Sequence, residues 1–154
     1  MVAVAVAAVS SRRRSAHVLH DLIARGNGPH TDCIGPIVCH ALVAAAELSG
    51  LGIKAEVVNC ATVKPLDHLT ILVSARKTRV VITAEEAQVA GGLGGAVAEL
   101  LGEHEPLPLM RVGMHDRFGE SGDRKQLLEH FELIGPHIVR LAQTFVTRRR
   151  AKQT

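Results

Sequence analysis

The sequence RVVITAEEAQVAGGLGGAVAELL, residues 79–101, gives the clearest indication of the fold class. It opens with a mostly β-branched run at 79–83, which predicts a buried strand. The glycines that follow permit a tight turn, and the apolar residues at 96–101 predict a helix. A strand, a glycine-rich turn and a helix in this order are typical of an α/β protein.

Apolar periodicity predicts further helices and strands on both sides of this stretch. The predicted elements are a helix at 36–51, a strand at 54–59, a helix at 66–75, a strand at 107–112, and helices at 123–131 and 136–147. Strands that alternate with helices run parallel and are joined by right-handed crossovers. The sequence therefore predicts a three-layer α/β domain with helices on both faces of the sheet.

Length and charge exclude several classes of protein. The chain has 154 residues, 47% of them apolar, which is enough for the core of one domain and leaves little room for a second. Its net charge of +3 comes from basic runs near both ends, without interleaved aromatic residues for base stacking. We expect solvated ends and no nucleic-acid partner. The longest uncharged apolar run near the start, residues 2–9, is too short to cross a bilayer, so we expect no membrane partner.

The cysteines and histidines give no metal or redox signature. Cys33, Cys39 and Cys60 cannot all pair with one another, and their spacing matches neither a C-x-x-C motif nor a zinc site. The nine histidines lack H-x-x-x-H spacing. We expect reduced cysteines, which usually act as small buried side chains, in an intracellular, cytoplasmic protein.

The glycine turn at 91–95 has two interpretations. Backbone amides at a helix start can receive an anion, so a stand-alone anion or nucleotide binding module is one hypothesis. The G-x-G-x-x-G pattern started at Gly92 places Val97 where the last glycine should be, and no Lys-Ser/Thr pair follows. We therefore favour a turn whose glycines allow close approach of a neighbouring element.

Glu85 and Glu86 leave the end of the predicted strand, where ligands of α/β sheets usually bind. Two adjacent acids there could transfer a proton or hold a metal. Successive side chains of an extended segment point in opposite directions, however, so a shared role is awkward. We expect one glutamate to bond to nearby backbone and the other to face solvent.

The densest polar stretch is HDRFGESG at 115–122. His115 and Ser121 are base and nucleophile types, but a catalytic loop also requires that they lie close together, with an orienting acid and an oxyanion site. An aromatic residue among arginine and acidic residues is more typical of a partner interface, with Phe118 as its anchor. We favour the interface.

Three blocks closely resemble the C-terminal domain of transketolases, especially the split bacterial and archaeal type. They are VKPLD at 63–67, EE with VAGGLG within 85–94, and DRFGESG at 116–122. With looser matching the resemblance extends from about residue 33 to residue 142. It implies a three-layer α/β/α fold with a mostly parallel, five-stranded mixed sheet.

The resemblance also implies that cofactor binding and assembly belong to different domains of the enzyme. In this family thiamine diphosphate and its divalent metal bind between two other domains, so this chain is expected to bind no cofactor or metal alone and to hold no catalytic residue. Its implied role is dimer and domain assembly in a transketolase-type transferase of carbohydrate metabolism. The implied partners are the thiamine-diphosphate-binding domains or subunit of the same enzyme, in a homo-oligomeric assembly. The residues expected at the interface are Glu85, Glu86, Gly91, Gly92, Gly94, Asp116, Arg117, Phe118, Gly119, Glu120 and Ser121.

The sequence departs from the family in two places. Ala87 stands where family members often have histidine, so a polar interface contact is expected to be missing. The family has an apolar strand just before Gly35, whereas residues 28–33 read GPHTDC. Either residues 2–9 substitute for this strand, or the first 32 residues are unrelated to the fold, which the change in composition near Asp32 favours.

We therefore predict an unassigned N-terminal extension at 1–32, a transketolase C-terminal-like domain at 33–147 and a basic tail at 148–154. A further hypothesis is a degenerate fragment, unstable because the lost strand exposes a sheet edge.

Overall fold

The computed structural model describes residues 4–10, 36–60 and 62–151, which form alternating strands and helices. The strands in this part of the chain are β1 (Val4–Ser10), β2 (Lys54–Cys60), β3 (Val81–Gln88) and β4 (Leu109–Met114). The helices are α1 (Pro36–Gly50), α2 (His68–Thr78), α3 (Leu93–His104), α4 (Arg124–His130) and α5 (Gly135–Ala151).

The sheet has the strand order β2-β1-β3-β4. β1 pairs antiparallel with both β2 and β3, and β3 pairs parallel with β4. The strands β2, β3 and β4 consequently run in one direction and β1 runs against them. The predicted α/β class with a mixed sheet is confirmed, with four strands in the described residues.

β1 lies inside the sheet, between β2 and β3. Val6, for example, pairs with Val58 on one side and with Thr83 on the other. The segment is uncharged and rich in valine, so it is suited to a central position between two neighbours. For residues 4–10 this placement contradicts the favoured prediction that the N-terminal segment is unrelated to the fold. It matches the alternative in which residues 2–9 supply a strand.

Helices cover both faces of the sheet, as predicted. On one face Ile82 packs in a core with Ile37 of α1 and Ile138 of α5. On the other face Val81 packs with Ile71 of α2, and with residues of α3. Ile82 and Val81 are adjacent in β3 and both fully buried, which explains why this strand is a continuous apolar run rather than an alternating one.

Several element boundaries differ from the prediction; α2 ends at Thr78 and not at 75, and β4 spans Leu109–Met114 and not 107–112. β3 continues to Gln88, so the paired glutamates lie within the strand and not beyond it. α3 begins at Leu93, three residues before the predicted start at 96, because its first turn is capped from β3. α5 extends to Ala151, so helix continues past the predicted domain boundary at 147. The remaining predicted domain boundaries stay predictions.

The cysteines differ from one another. Cys39 is disulfide-bonded, so the prediction of reduced cysteines is wrong for this residue. Cys60 is free and buried, and burial, with a smaller contribution from Asp67, raises the pKa of its thiol to about 11. Cys33 lies outside the described residues. Among the described helices, none is long and apolar enough to cross a membrane.

Candidate functional site

Glu85 caps the start of α3 from the neighbouring strand. Its side chain is only 2% exposed, and its two carboxylate oxygens accept hydrogen bonds from the backbone N–H groups of Leu93 and Gly94, both at 2.8 Å. The first amides of a helix have no partner within the helix, and Gly92 at the N-cap has no side chain to bind them. The negative carboxylate also lies at the positive end of the helix dipole. Glu85 therefore ties α3 to β3.

Two glycines make room for this carboxylate. A Cβ atom on Gly92 would collide with the Glu85 carboxylate and lie 2.6 Å from the carbonyl oxygen of Gln88. A Cβ atom on Gly94 would lie 3.0 Å from Glu85 Oε1 and 2.9 Å from Cδ of Arg111. The geometry confirms the interpretation of these glycines as residues that allow close approach.

The same geometry contradicts the hypothesis of an anion or nucleotide binding module at the turn. The amides of Leu93 and Gly94 are occupied by Glu85. An external phosphate would have to displace a buried carboxylate and would be repelled by its charge. The two amides that could bind an external anion are therefore already bound by a carboxylate of the same chain.

Glu86 points to the opposite face of the sheet, as expected for the residue after Glu85. Its Oε2 atom lies 3.1 Å from Nη2 of Arg124, so it joins the end of β3 to the start of α4. Its side chain is 19% exposed, so it is less open to solvent than the prediction of a solvent-facing glutamate implies. Its Oε1 atom is buried and has no hydrogen-bond partner among the described residues.

His40 of α1 lies in the electrostatic field of this ion pair. Burial lowers the pKa of His40; Glu86 opposes that shift and Arg124 adds to it. The Nδ1 atom of His40 accepts a hydrogen bond of 3.3 Å from the backbone N–H of Gly135. An imidazole nitrogen that accepts a hydrogen bond is unprotonated, so this contact fits a neutral His40.

The loop at 116–122, between β4 and α4, is held at its start by Gln88. The side-chain Nε2 of Gln88 donates to the carbonyl oxygen of Arg117 at 2.8 Å, and its Oε1 accepts from the backbone N–H of Asp116 at 3.0 Å. The Arg117 guanidinium lies 4.5 Å from the ring centroid of Phe131, a cation–π distance. These contacts fix the part of the loop that precedes Phe118.

The loop is also held from α4. Oε1 of Glu120 lies 3.0 Å from Nε2 of His130. Beyond the loop, the Asp123 side chain accepts hydrogen bonds from the first backbone amides of α4 and so fixes the start of that helix. The loop is therefore anchored on both sides of Phe118.

Phe118 itself is 97% exposed, the highest value among the exposed large apolar side chains of the described residues. An exposed phenyl ring on an anchored loop is suited to fill a pocket of a partner protein, since burying it is worth about 1.5–3 kcal/mol. Gly119 and Ser121 beside it are exposed as well. The loop therefore holds an exposed phenyl ring between two anchored segments.

The catalytic interpretation of the loop finds no support in the geometry. His115 and Ser121 are both exposed, and in the described residues no hydrogen bond joins them to each other or to an acid. A nucleophile needs a base within hydrogen-bond reach that a third group orients. Within the same residues, no group of three or more histidine, cysteine and acidic side chains could hold a metal ion.

A cleft of about 250 Å³ lies between this loop and α5, and sequence patterns gave no sign of it. Arg117, Phe131 and His137 are among its lining residues. Burial lowers the pKa of His137, while Glu132 opposes and Arg140 adds to this shift.

Gln88 and Arg124 could not be found from motifs either, because each contacts a residue far away in the chain.

The chain is similar to a protein family, to curated proteins and to solved structures. The family "Transketolase, C-terminal domain" matches residues 33–138. The chain is 53% identical over 115 residues to the 6-deoxy-6-sulfo-D-fructose transketolase subunit SqwH of a Clostridium species, covering 75% of this chain and 36% of that protein. It is 43% identical over 109 residues to 1-deoxy-D-xylulose-5-phosphate synthase 1 of Geobacter sulfurreducens, covering 70% and 17%.

A solved structure described as "Split gene transketolase, inactive beta4 tetramer" is also similar, with a TM-score of 0.68 and 43% identity. The match covers 73% of this chain and 37% of the solved one. The chain thus spans about a third of the length of these two proteins. With the family match over most of its length and relatives well above 30% identity, the chain belongs to the transketolase C-terminal domain family.

Proposed function

We propose that this chain is the C-terminal domain or subunit of a thiamine-diphosphate-dependent transketolase-type enzyme and supports its assembly, without catalysing ketol transfer alone. The observation that carries the proposal is the 53% identity to a transketolase subunit of which the chain covers only 36%. A chain of this length corresponds to one domain of such an enzyme. The remaining domains would come from a partner or from further sequence.

We infer that the glycine turn of this chain is not the binding site for thiamine diphosphate. Backbone amides at a helix start can bind a diphosphate, but the amides at the glycine turn are bound by Glu85. No cluster suited to a metal occurs in the part of the chain that the structure describes. We propose that the cofactor and its divalent metal are held by the partner domains in the complete enzyme.

The proposed interface has an internal frame and a contact surface. Glu85, Gly92 and Gly94 form the frame, because they join β3 to α3 and are largely removed from solvent. The contact surface is the exposed loop, with Phe118 at its centre and its neighbours around it. Glu86 and Gly91, at the same edge of the sheet, complete the predicted set. Hot spots of interfaces are usually a few such anchors.

The assembly is proposed to contain more than one copy of this chain. The similar solved protein supports this proposal, since it is described as a "beta4 tetramer". We further propose a cytoplasmic location, as expected for an enzyme of sugar metabolism.

The test is co-purification of the tagged chain from its own source, followed by assays for bound thiamine diphosphate and for ketol transfer. Recovery of a cofactor-binding polypeptide with ketol transfer activity supports the proposal. Recovery of the chain alone, in an inactive state and without the cofactor, contradicts it.

A further inference from the structure

Gln88 is not among the residues of the three sequence blocks that resemble the family, yet its side chain makes two hydrogen bonds to the loop at 116–122. It is the last residue of β3, and there its backbone pairs with Met114 of β4. The next backbone hydrogen bond runs from the N–H of Val89 to the carbonyl oxygen of Met114, at 3.0 Å. Beyond Met114 the strand ladder ends.

The side chain of Gln88 continues the pairing where the backbone ladder stops. Its amide oxygen accepts from the N–H of Asp116 at 3.0 Å, and its amide nitrogen donates to the carbonyl of Arg117 at 2.8 Å. The orientation of the amide is fixed by its partners, since one is a donor and the other an acceptor. A primary amide is suited to this position because it offers both functions within reach of two successive residues.

The conformation that Gln88 holds is one that the loop does not favour by itself. Asp116 has φ of +44°, in the left-handed region that non-glycine residues rarely adopt. The hydrogen bond to its amide compensates for this backbone cost. Phe118 follows two residues later, so the position of its ring depends on the backbone that Gln88 fixes.

We propose that Gln88 is the positioning residue of the docking loop: it holds the backbone at Asp116 and Arg117 so that Phe118 is presented to the partner subunit in its binding position. The docking role of the loop rests on the function proposed above, whereas the ordering of the loop by Gln88 does not. A loop that is already ordered loses less entropy when it binds. Gln88 then raises affinity without touching the partner.

The test uses Gln88→Met, which keeps the length of the side chain and removes both hydrogen bonds. Gln126→Met is the matched control, because Gln126 is on α4 and its side chain makes no hydrogen bond in the described residues. Gln88→Glu is a partial variant that retains the acceptor for Asp116 and loses the donor for Arg117. Each variant is compared with the wild type by amide hydrogen exchange of the loop, by melting temperature and by capture of the cofactor-binding polypeptide.

In Gln88→Met we expect the exchange rate of the Asp116 amide to rise roughly tenfold or more, since this amide loses its acceptor and the next residue loses the donor to its carbonyl oxygen. We expect the melting temperature to fall by only a few degrees and capture to be several-fold weaker, with Gln126→Met like the wild type and Gln88→Glu in between. An exchange rate in Gln88→Met equal to that of the wild type overturns the positioning role. Faster exchange with full capture overturns the link between loop order and docking. If even the wild type captures no partner, the proposed function fails, and the exchange rates alone still decide whether Gln88 orders the loop.

Discussion

Replacing Glu85 by glutamine tests the capping of α3 by a buried carboxylate. The amide oxygen of Gln can accept from one of the two helix amides, but its NH₂ group faces the other. A hydrogen bond to a charged group contributes about 1.5–3 kcal/mol. We therefore expect Glu85→Gln to lower the free energy of unfolding by about 2–3 kcal/mol, and Glu85→Ala by more, since both amides of Leu93 and Gly94 then lose their partner.

The assay is urea unfolding at neutral pH, with thermal unfolding as a second measurement. A loss of about 2–3 kcal/mol corresponds to a fall in melting temperature of roughly 4–12 °C for a chain of this size. Glu99→Gln is the control, because Glu99 belongs to the same helix and has no ion pair in the described residues. If Glu85→Gln changes stability by no more than Glu99→Gln, the carboxylate does not hold the helix and capping by Glu85 is refuted.

Three further predictions concern the turn, the loop and α1. Gly92→Ala should destabilise the fold by at least about 2 kcal/mol in urea unfolding, because its Cβ would collide with the Glu85 carboxylate. Gly102→Ala is the control: no atom lies near its Cβ, so it should stabilise α3 by up to about 1 kcal/mol. Phe118→Ala should leave the melting temperature within about 1 °C of the wild type, because the ring is 97% exposed. The same variant should weaken assembly, measured by light scattering or partner capture. Unchanged assembly would exclude the ring from the interface. The lowered pKa of His40 means that the unfolded chain binds the proton more readily, so this residue should reduce stability as the pH falls below about 6.5. His40→Asn, which can still accept from Gly135, should reduce that pH dependence between about pH 7.5 and about pH 5, and an identical pH profile would show that His40 is not responsible.

The sequence predicted the elements of the fold well where apolar periodicity is strong. The helix at 36–51 and the strand at 54–59 match α1 and β2 within about one residue at each end. β3 was predicted to end at 83, where the β-branched run ends, with Glu85 and Glu86 beyond it. The burial of Glu85 depends on amides eight and nine residues away, at Leu93 and Gly94. The apolar pattern along the chain does not indicate such a contact between residues that are distant in sequence.

The candidate site shows the same limit. Sequence motifs indicated an interface loop with Phe118 as anchor, which remains a proposal. They did not indicate Gln88 or Arg124, whose partners lie 28 to 38 residues away in the chain. The glycine motif lacked residues that a phosphate site requires. In the structure the helix amides at this turn are bound by the carboxylate of Glu85, so they are not available to a phosphate.

The N-terminal strand is the largest difference between prediction and structure. Residues 4–10 have valine and alanine in near alternation, a pattern that allows a strand, but their composition differs from that of the region matching the family. Strand pairing is a tertiary contact, and β1 pairs with residues about 50 and about 75 positions downstream. Composition alone pointed to an unrelated extension.

The proposed role of this chain is assembly with a cofactor-binding partner, without catalysis by the chain alone. The most direct measurement is ketol transfer, with thiamine diphosphate and a divalent metal added, by the purified chain, by the partner recovered with it, and by the two recombined. We predict no activity for the chain alone and activity for the recombined pair well above that of the partner. Ketol transfer by the chain alone, or by the partner at the same rate without the chain, would exclude this role.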